Sequence, residues 1–288
     1  MIRFGPAGNG DSFYAQGNKS TWQAPAWLAN MGLSAYEYSA GHGVNIKADT
    51  ALKIGEEAAA RGIAISIHAP YYINCAANSE EKRCATIGHF ISAARAVSDM
   101  GGSRVIFHPG SPAGMERAEA MRLTKALLGE VMKRLVGGGM GNVSLCPETM
   151  GRPSQLGTLD EVLELCELDD RFIPTLDFGH LHAAGQGAIR GAEDFDAILA
   201  RLISALGKNR ARGFHAHFSR IEFTAAGEKR HHTFADTQFG PDYSPLIPLI
   251  EGYGLEPVMI CESRGTQAED AVALMMTRHT FHSTPPML

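Results

Sequence analysis

The chain has 288 residues, with 26 Lys and Arg against 31 Asp and Glu for a net charge of −5, and it is 44% apolar and 20% charged. That is ordinary globular composition, which excludes disordered, collagen-like and coiled-coil classes. Its longest apolar stretches, such as IAISIHA at 63–69, are strand-sized and far below the ~20 residues that cross a bilayer.

In chain order, β-rich runs are predicted at 2–5, 34–39, 63–68, 104–108, 142–148, 173–178, 213–219 and 257–262. Helical patterns fill 49–61, 80–99, 113–135, 159–168, 193–206 and 266–279 between and after them. Two of these helices open on a predicted capping box, Thr158 with Glu161 and Thr266 with Glu269. Strand followed by helix, eight times without a linker, predicts a single (β/α)8 TIM-barrel domain over residues 1–288, with an open doubly wound sheet as the alternative. GGGMG at 137–141 precedes a strand and has no Lys, so it reads as a helix C-cap and turn rather than a phosphate-binding loop. The start MIRFGPAGNG lacks the apolar stretch of a secretory leader, and five cysteines without a CxxC pair suit reduced thiols; both lead to an expected cytoplasmic location.

The acidic balance and the lack of any Lys/Arg run exclude a non-specific nucleic-acid coat. Histidine is the unusual count, at twelve. His68, His108, Glu148, Asp177, His215 and Glu262 each fall at or near the C-terminal end of a different predicted strand. In a barrel those ends converge on the face where active sites are built. A lone histidine there reads as a hydrogen-bonded core residue. Six ionisable groups from six strands need either metal ions or a dense ion-pair network, and basic partners are scarce nearby. Imidazole and carboxylate are the ligand set of zinc or manganese, and six such groups exceed one tetrahedral site.

The strings HAPY at 68–71, HPG at 108–110, PE at 147–148, DFGH at 177–180, HAHFS at 215–219 and CES at 261–263, in this order, resemble the endonuclease IV family of apurinic/apyrimidinic endonucleases. That family lies in the xylose-isomerase-like superfamily, which also holds sugar isomerases and epimerases. The resemblance implies that His68, His108 and Glu148 hold one zinc, and that Glu148, Asp177, His215 and Glu262 hold a second, with Glu148 bridging. It implies a third zinc on His180 and an Asp-x-His pair of the seventh βα loop, where GEKRHHTF offers His231 but places Lys229 at the Asp position. A cation there is expected to weaken the third site unless Asp236, Glu222 or water substitutes, and to leave Lys229 as a substrate-phosphate contact. Tyr71 stands where the family places an aromatic that works on nucleic acid. AGHGVNI at 40–46 offers no basic DNA-intruding loop. His217 is expected to be a hydrogen-bond partner rather than a ligand, and His42 and His182 to be rim residues.

The function implied is zinc-dependent hydrolysis of a phosphodiester at abasic sites in DNA, with Glu148, Glu262 and His180 catalytic. The alternative is a sugar isomerase or 3-epimerase that uses one Mn or Mg ion at Glu148, Asp177, His215 and Glu262. His68 and His108 favour the nuclease; Lys229, the acidic charge and the missing basic loop favour the sugar enzyme. A non-catalytic metal-stabilised binding protein is the third class.

Overall fold

A computed structural model describes residues 1–278, so residue 279 of the expected last helix lies outside the described residues. The predicted strands form β1 (Arg3–Pro6), β2 (Ala35–Ser39), β3 (Ala64–His68), β4 (Arg104–Phe107), β5 (Ser144–Pro147), β6 (Thr175–Asp177) and β7 (His215–Phe218). An antiparallel hairpin, β8 (Arg220–Thr224) and β9 (Gly227–His232), then precedes the eighth barrel strand, β10 (Val258–Cys261). The helices are α1 (Asp11–Ala15), α2 (Ala24–Asn30), α3 (Ala48–Arg61), α4 (Glu80–Asp99), α5 (Arg117–Gly137), α6 (Leu159–Cys166), α7 (Phe178–Ala184), α8 (Ala192–Ala211), α9 (Leu246–Gly252) and α10 (Gln267–Met276).

All barrel pairings are parallel and fall into two four-stranded sheets, β2-β3-β4-β5 and β1-β10-β7-β6. Single parallel bridges join them into a closed barrel: Ala7 with Glu37 on one seam, Glu148 with Thr175 and Leu145 with Phe172 on the other. Strands buried on both faces read as near-continuous apolar runs, and in β4 Val105, Ile106 and Phe107 are all fully buried. In β7 the two-residue alternation separates partners clearly. Phe218 packs toward Phe195 of α8, while His215 and His217 bond with Glu37 and Glu148 inside the barrel.

Local chemistry explains most helix ends. Ser79 accepts from the Lys82 amide at the start of α4, and α3 stops at Gly62 in the left-handed region, φ 67°. The Thr158–Glu161 capping box forms, and Arg117 grips the same glutamate at 2.5 and 2.7 Å. The second expected box does not: Thr266 turns its hydroxyl to Asp270, which is tied to the Phe234 amide and so anchors the loop after the hairpin. GGGMG ends α5 and turns through Gly139 at φ 76°, as its composition predicts. All five cysteines are free, four of them buried. Among the described residues no helix is long and apolar enough to cross a membrane.

The seam between β1 and β2 is where the barrel tolerates least. A Cβ on Gly5 would lie 1.8 Å from the carbonyl oxygen of Ala35, backbone against backbone. Gly5→Ala is therefore expected to destabilise the fold by about 3 kcal/mol or more, the upper range for overpacking. Denaturant unfolding measures it, and a loss near zero would mean that the seam can open to admit a methyl group.

Candidate metal centre

Register decides which side chains share a level inside the barrel. Asp177 pairs with His217, and Thr175 with His215; His217 is likewise level with Ile260 of β10, just below Glu262. His215, two residues earlier on the same face, sits roughly 7 Å deeper along the strand. The structure thus places His217, not His215, with Glu148, Asp177 and Glu262, their ligand-type atoms all within 4.8 Å of one another. The sequence-based expectation put His215 in this group and His217 beside it as a hydrogen-bond partner; the structure brings His217 to the group and His215 to Glu37. The rule that site residues lie nearest the C-terminal strand end would have chosen His217.

Three further groups meet the same criterion among the described residues: His68, His108 and Glu148; His180, Glu228 and His231; and, deeper in the barrel, Glu37, His215 and His217. Glu148 belongs to two of the four: its Oε2 faces His68 Nε2 at 3.0 Å and His108 Nε2 at 3.3 Å, while Oε1 faces His217 Nδ1 at 3.2 Å and His180 Nδ1 at 3.3 Å. Five of the six predicted strand-end residues, His68, His108, Glu148, Asp177 and Glu262, are brought together with His180 and His231; His215 is not.

The group of His180, Glu228 and His231 differs from the expected reading of the hairpin. Lys229 turns away from the site and pairs with Glu222 at 2.5 Å. Glu222 and Asp236, the proposed substitutes, are taken up by His232 at 3.3 and 3.5 Å. The carboxylate comes instead from Glu228, 3.4 Å from His180 and 3.6 Å from His231. Residues three apart on a regular strand face opposite sides. Here Phe223 pairs with Glu228 but Glu222 pairs with Arg230, so Lys229 is an extra, unpaired residue. That bulge restores Glu228 and His231 to one face.

Three imidazoles have one nitrogen hydrogen-bonded and the other directed into the site, the pattern by which metal-binding histidines are oriented, and a fourth, His217, has one nitrogen facing a carboxylate. His68 Nδ1 donates to the Ala69 carbonyl at 2.8 Å and His180 Nδ1 to the Thr149 carbonyl at 2.9 Å. His231 Nδ1 lies 2.8 Å from Ser219 Oγ, and His217 Nε2 lies 2.9 Å from Glu37 Oε1. Asp177 divides its labour too: Oδ1 accepts from the His180 amide at 2.7 Å and caps α7, while Oδ2, fully buried, has no hydrogen-bond partner among the described residues.

Burial would raise the Glu148 carboxyl, but His217 and His108 hold it well below the usual carboxylate range. Glu228, opposed by burial and assisted by His231 and His180, is lowered to about 2. Asp177 is the exception: burial pushes it up, and neighbouring Glu262 and Glu148 add to that despite His180. A buried carboxylate oxygen without a hydrogen bond, facing three other ligand-type groups, is the environment a cation corrects. The residues present therefore fit divalent ions of the nitrogen- and oxygen-preferring kind.

Above this centre the cleft has two adjoining lobes of about 400 and 390 Å³, both lined by His68, Tyr71, His231 and Glu262. Tyr71 is half exposed and stacks on His108, ring centroids 5.4 Å apart. Burial raises its hydroxyl to about 12, so it enters the cleft as a neutral phenol. Arg230 and Arg264 line one lobe and Arg152 the other. His42 is exposed at the rim beside Tyr71, as expected. His182 is not a rim residue; it is buried edge-on against Phe223.

Fold and site together define a (β/α)8 barrel whose C-terminal strand ends carry a histidine- and carboxylate-lined centre suited to more than one divalent ion. The chain belongs to the xylose isomerase-like TIM barrel family, whose model matches residues 25–278. An uncharacterized protein of Methanocaldococcus jannaschii is 32% identical over 275 residues, 96% of each chain. A probable endonuclease 4 of Acholeplasma laidlawii is 28% identical over 191 residues, 65% of this chain and 62% of that one. Among solved structures, endonuclease IV from Thermus thermophilus superposes with a TM-score of 0.71 at 18% identity, covering 96% of this chain and 98% of that one. A D-tagatose 3-epimerase-like protein superposes with a TM-score of 0.69 at 17% identity, covering 96% of each chain.

Proposed function

We propose that the protein is a metal-dependent phosphodiester hydrolase of the endonuclease IV type, acting at abasic sites in DNA. The observation that carries this reading is the sharing of Glu148 between two ligand groups, with a further group formed by His180 of α7 and Glu228 and His231 of the hairpin. A one-metal epimerase requires neither His68 and His108 nor Glu228 and His231. The relatives named probable endonuclease 4 support the same reading.

His68, His108 and Glu148 would hold one ion, Glu148, Asp177, His217 and Glu262 a second, and His180, Glu228 and His231 a third, with zinc preferred and manganese an alternative. Bound there, divalent ions make water nucleophilic near neutral pH and offset charge on phosphoryl oxygens. The remaining tasks fall to the chain itself. Glu262 lies at the junction of the two lobes, placed to take a proton from water. Arg152, Arg230 and Arg264 present guanidinium groups whose planar forks match phosphate oxygens. These arginines supply, from three separate loops and strands, the positive charge that the 40–46 loop lacks. The Tyr71 ring offers a flat apolar surface to an unpaired sugar or base.

The test combines metal analysis of the purified protein with cleavage of a duplex carrying one abasic-site analogue. Two or three ions per chain, and cleavage leaving a 3′-hydroxyl, are the expected results. One ion per chain, no cleavage and interconversion of ketoses at C3 would replace this reading with the sugar enzyme.

A further inference from the structure

Glu37 was not singled out by the sequence, yet it is a fully buried carboxylate in the middle of β2, at the seam where β2 meets the first strand. Its Oε2 accepts from Ser66 Oγ at 2.8 Å and lies 3.0 Å from His215 Nε2. On the far side of that ring, Arg104 Nη1 is 3.4 Å from His215 Nδ1. Arg104 is itself fixed at the bottom of the barrel by the carbonyls of Gly213, at 2.7 Å, and Phe214, at 3.4 Å. The other oxygen, Oε1, stands 2.9 Å from His217 Nε2. Their alignment falls short of a hydrogen bond, and neither atom has another partner among the described residues, which leaves each as the other's only match.

The order of donors and acceptors is determined from the bottom upward. Arginine can only donate, so His215 Nδ1 accepts and His215 Nε2 carries the proton toward Glu37. The carboxylate only accepts, so His217 Nε2 carries a proton as well, and His217 Nδ1, hydrogen-bonded to Glu148 Oε1 at 3.2 Å and 3.4 Å from Glu262 Oε1, is the nitrogen that would present its lone pair to a metal bound among those carboxylates. We propose that Glu37, held by Arg104 through His215, is the positioning residue that fixes the tautomer and ring orientation of His217 as a metal ligand. This rests on the metal reading above. Glu37, His215 and His217 are close enough to form a ligand triad of their own. A fourth ion is disfavoured there, because Oε2 is already occupied by two donors and the Arg104 guanidinium supplies the neighbouring positive charge.

The amide of Glu37→Gln has one accepting oxygen where the carboxylate has two, so it cannot serve His215 and His217 together. Titration of metal-free protein with Zn²⁺ against a chelating indicator should show one of the wild-type ions bound 10–100-fold more weakly in Glu37→Gln, the usual cost of losing such an orienting partner. The other ions and the thermal midpoint of the metal-free chain should be unchanged, which separates positioning from a general structural defect. In the zinc-loaded wild type, imidazole ¹⁵N spectra should show His217 protonated at Nε2 and not at Nδ1; this holds the proposal to account even if Glu37→Gln fails to fold. Unaltered affinity for every ion in Glu37→Gln, His217 protonated at Nδ1, or a further ion lost on replacing His215 would overturn it. If the wild type binds no ion in the group containing His217, the metal reading itself fails, and that outcome is distinct from the others.

Discussion

Glu148→Gln is expected to lower the metal content by two ions per chain in a single step and to reduce abasic-site cleavage by roughly 10³-fold or more, in line with the several kcal/mol that metal ions contribute to such transition states. The reason lies in how the two oxygens are directed, Oε2 to His68 and His108 and Oε1 to His217. An amide carries no negative charge and presents one weakly basic oxygen and one NH₂ group, so one ion position would face a donor in place of a ligand and the other would lose the anionic oxygen that holds its ion. Metal analysis after dialysis at fixed free zinc measures the outcome. Loss of only one ion would show that Glu148 serves a single site, and the bridging assignment would fall.

The hairpin supplies the second prediction. Glu228→Gln should remove one ion and slow cleavage by about 10²-fold, the scale on which a charge-stabilising group at a reacting phosphate acts. Lys229→Ala should keep every ion and stay within about twofold of wild type, because an exposed ion pair such as that with Glu222 contributes little. The two adjacent residues therefore give opposite results under the same assay. A metal loss in Lys229→Ala with none in Glu228→Gln would restore the Asp-x-His alignment and remove Glu228 from the site.

Most of the architecture was legible because each barrel strand is a short β-rich run and each long helix has the 3.6-residue period. What was not legible has particular causes. The short helices α1, α2, α7 and α9 are too brief for periodicity to register. Lys229 was misassigned because a bulge changes which residues share a face without changing the sequence spacing, and nothing local in GEKRHHTF marks it. His215 and His217 are indistinguishable by alternation; only the register against Asp177 ranks them. Glu37 has a signal in the sequence, a lone carboxylate between two tyrosines in the strand-like run SAYEYS.

The barrel's two half-sheets give the centre a mechanical meaning. Glu37, His68, His108 and Glu148 come from the β2-to-β5 half, whereas Asp177, His217 and Glu262 come from the other, and between the halves the backbone offers only isolated bridges. An ion held by Glu148 together with Asp177, His217 and Glu262 would act as a cross-link between two rafts of strands that hydrogen-bond mainly within themselves, whereas one on His68, His108 and Glu148 would stay within a single raft. Chelation would then loosen the barrel along its seams before it frayed any sheet. Amide exchange would be expected to rise first at Gly8 and Thr149, whose N–H groups donate across the joins to the carbonyls of Glu37 and Thr175. Resistance to unfolding would climb with free metal by about 2.7 kcal/mol at a hundredfold excess over the dissociation constant for one site. The catalytic inventory and the closure of the barrel would be the same set of atoms.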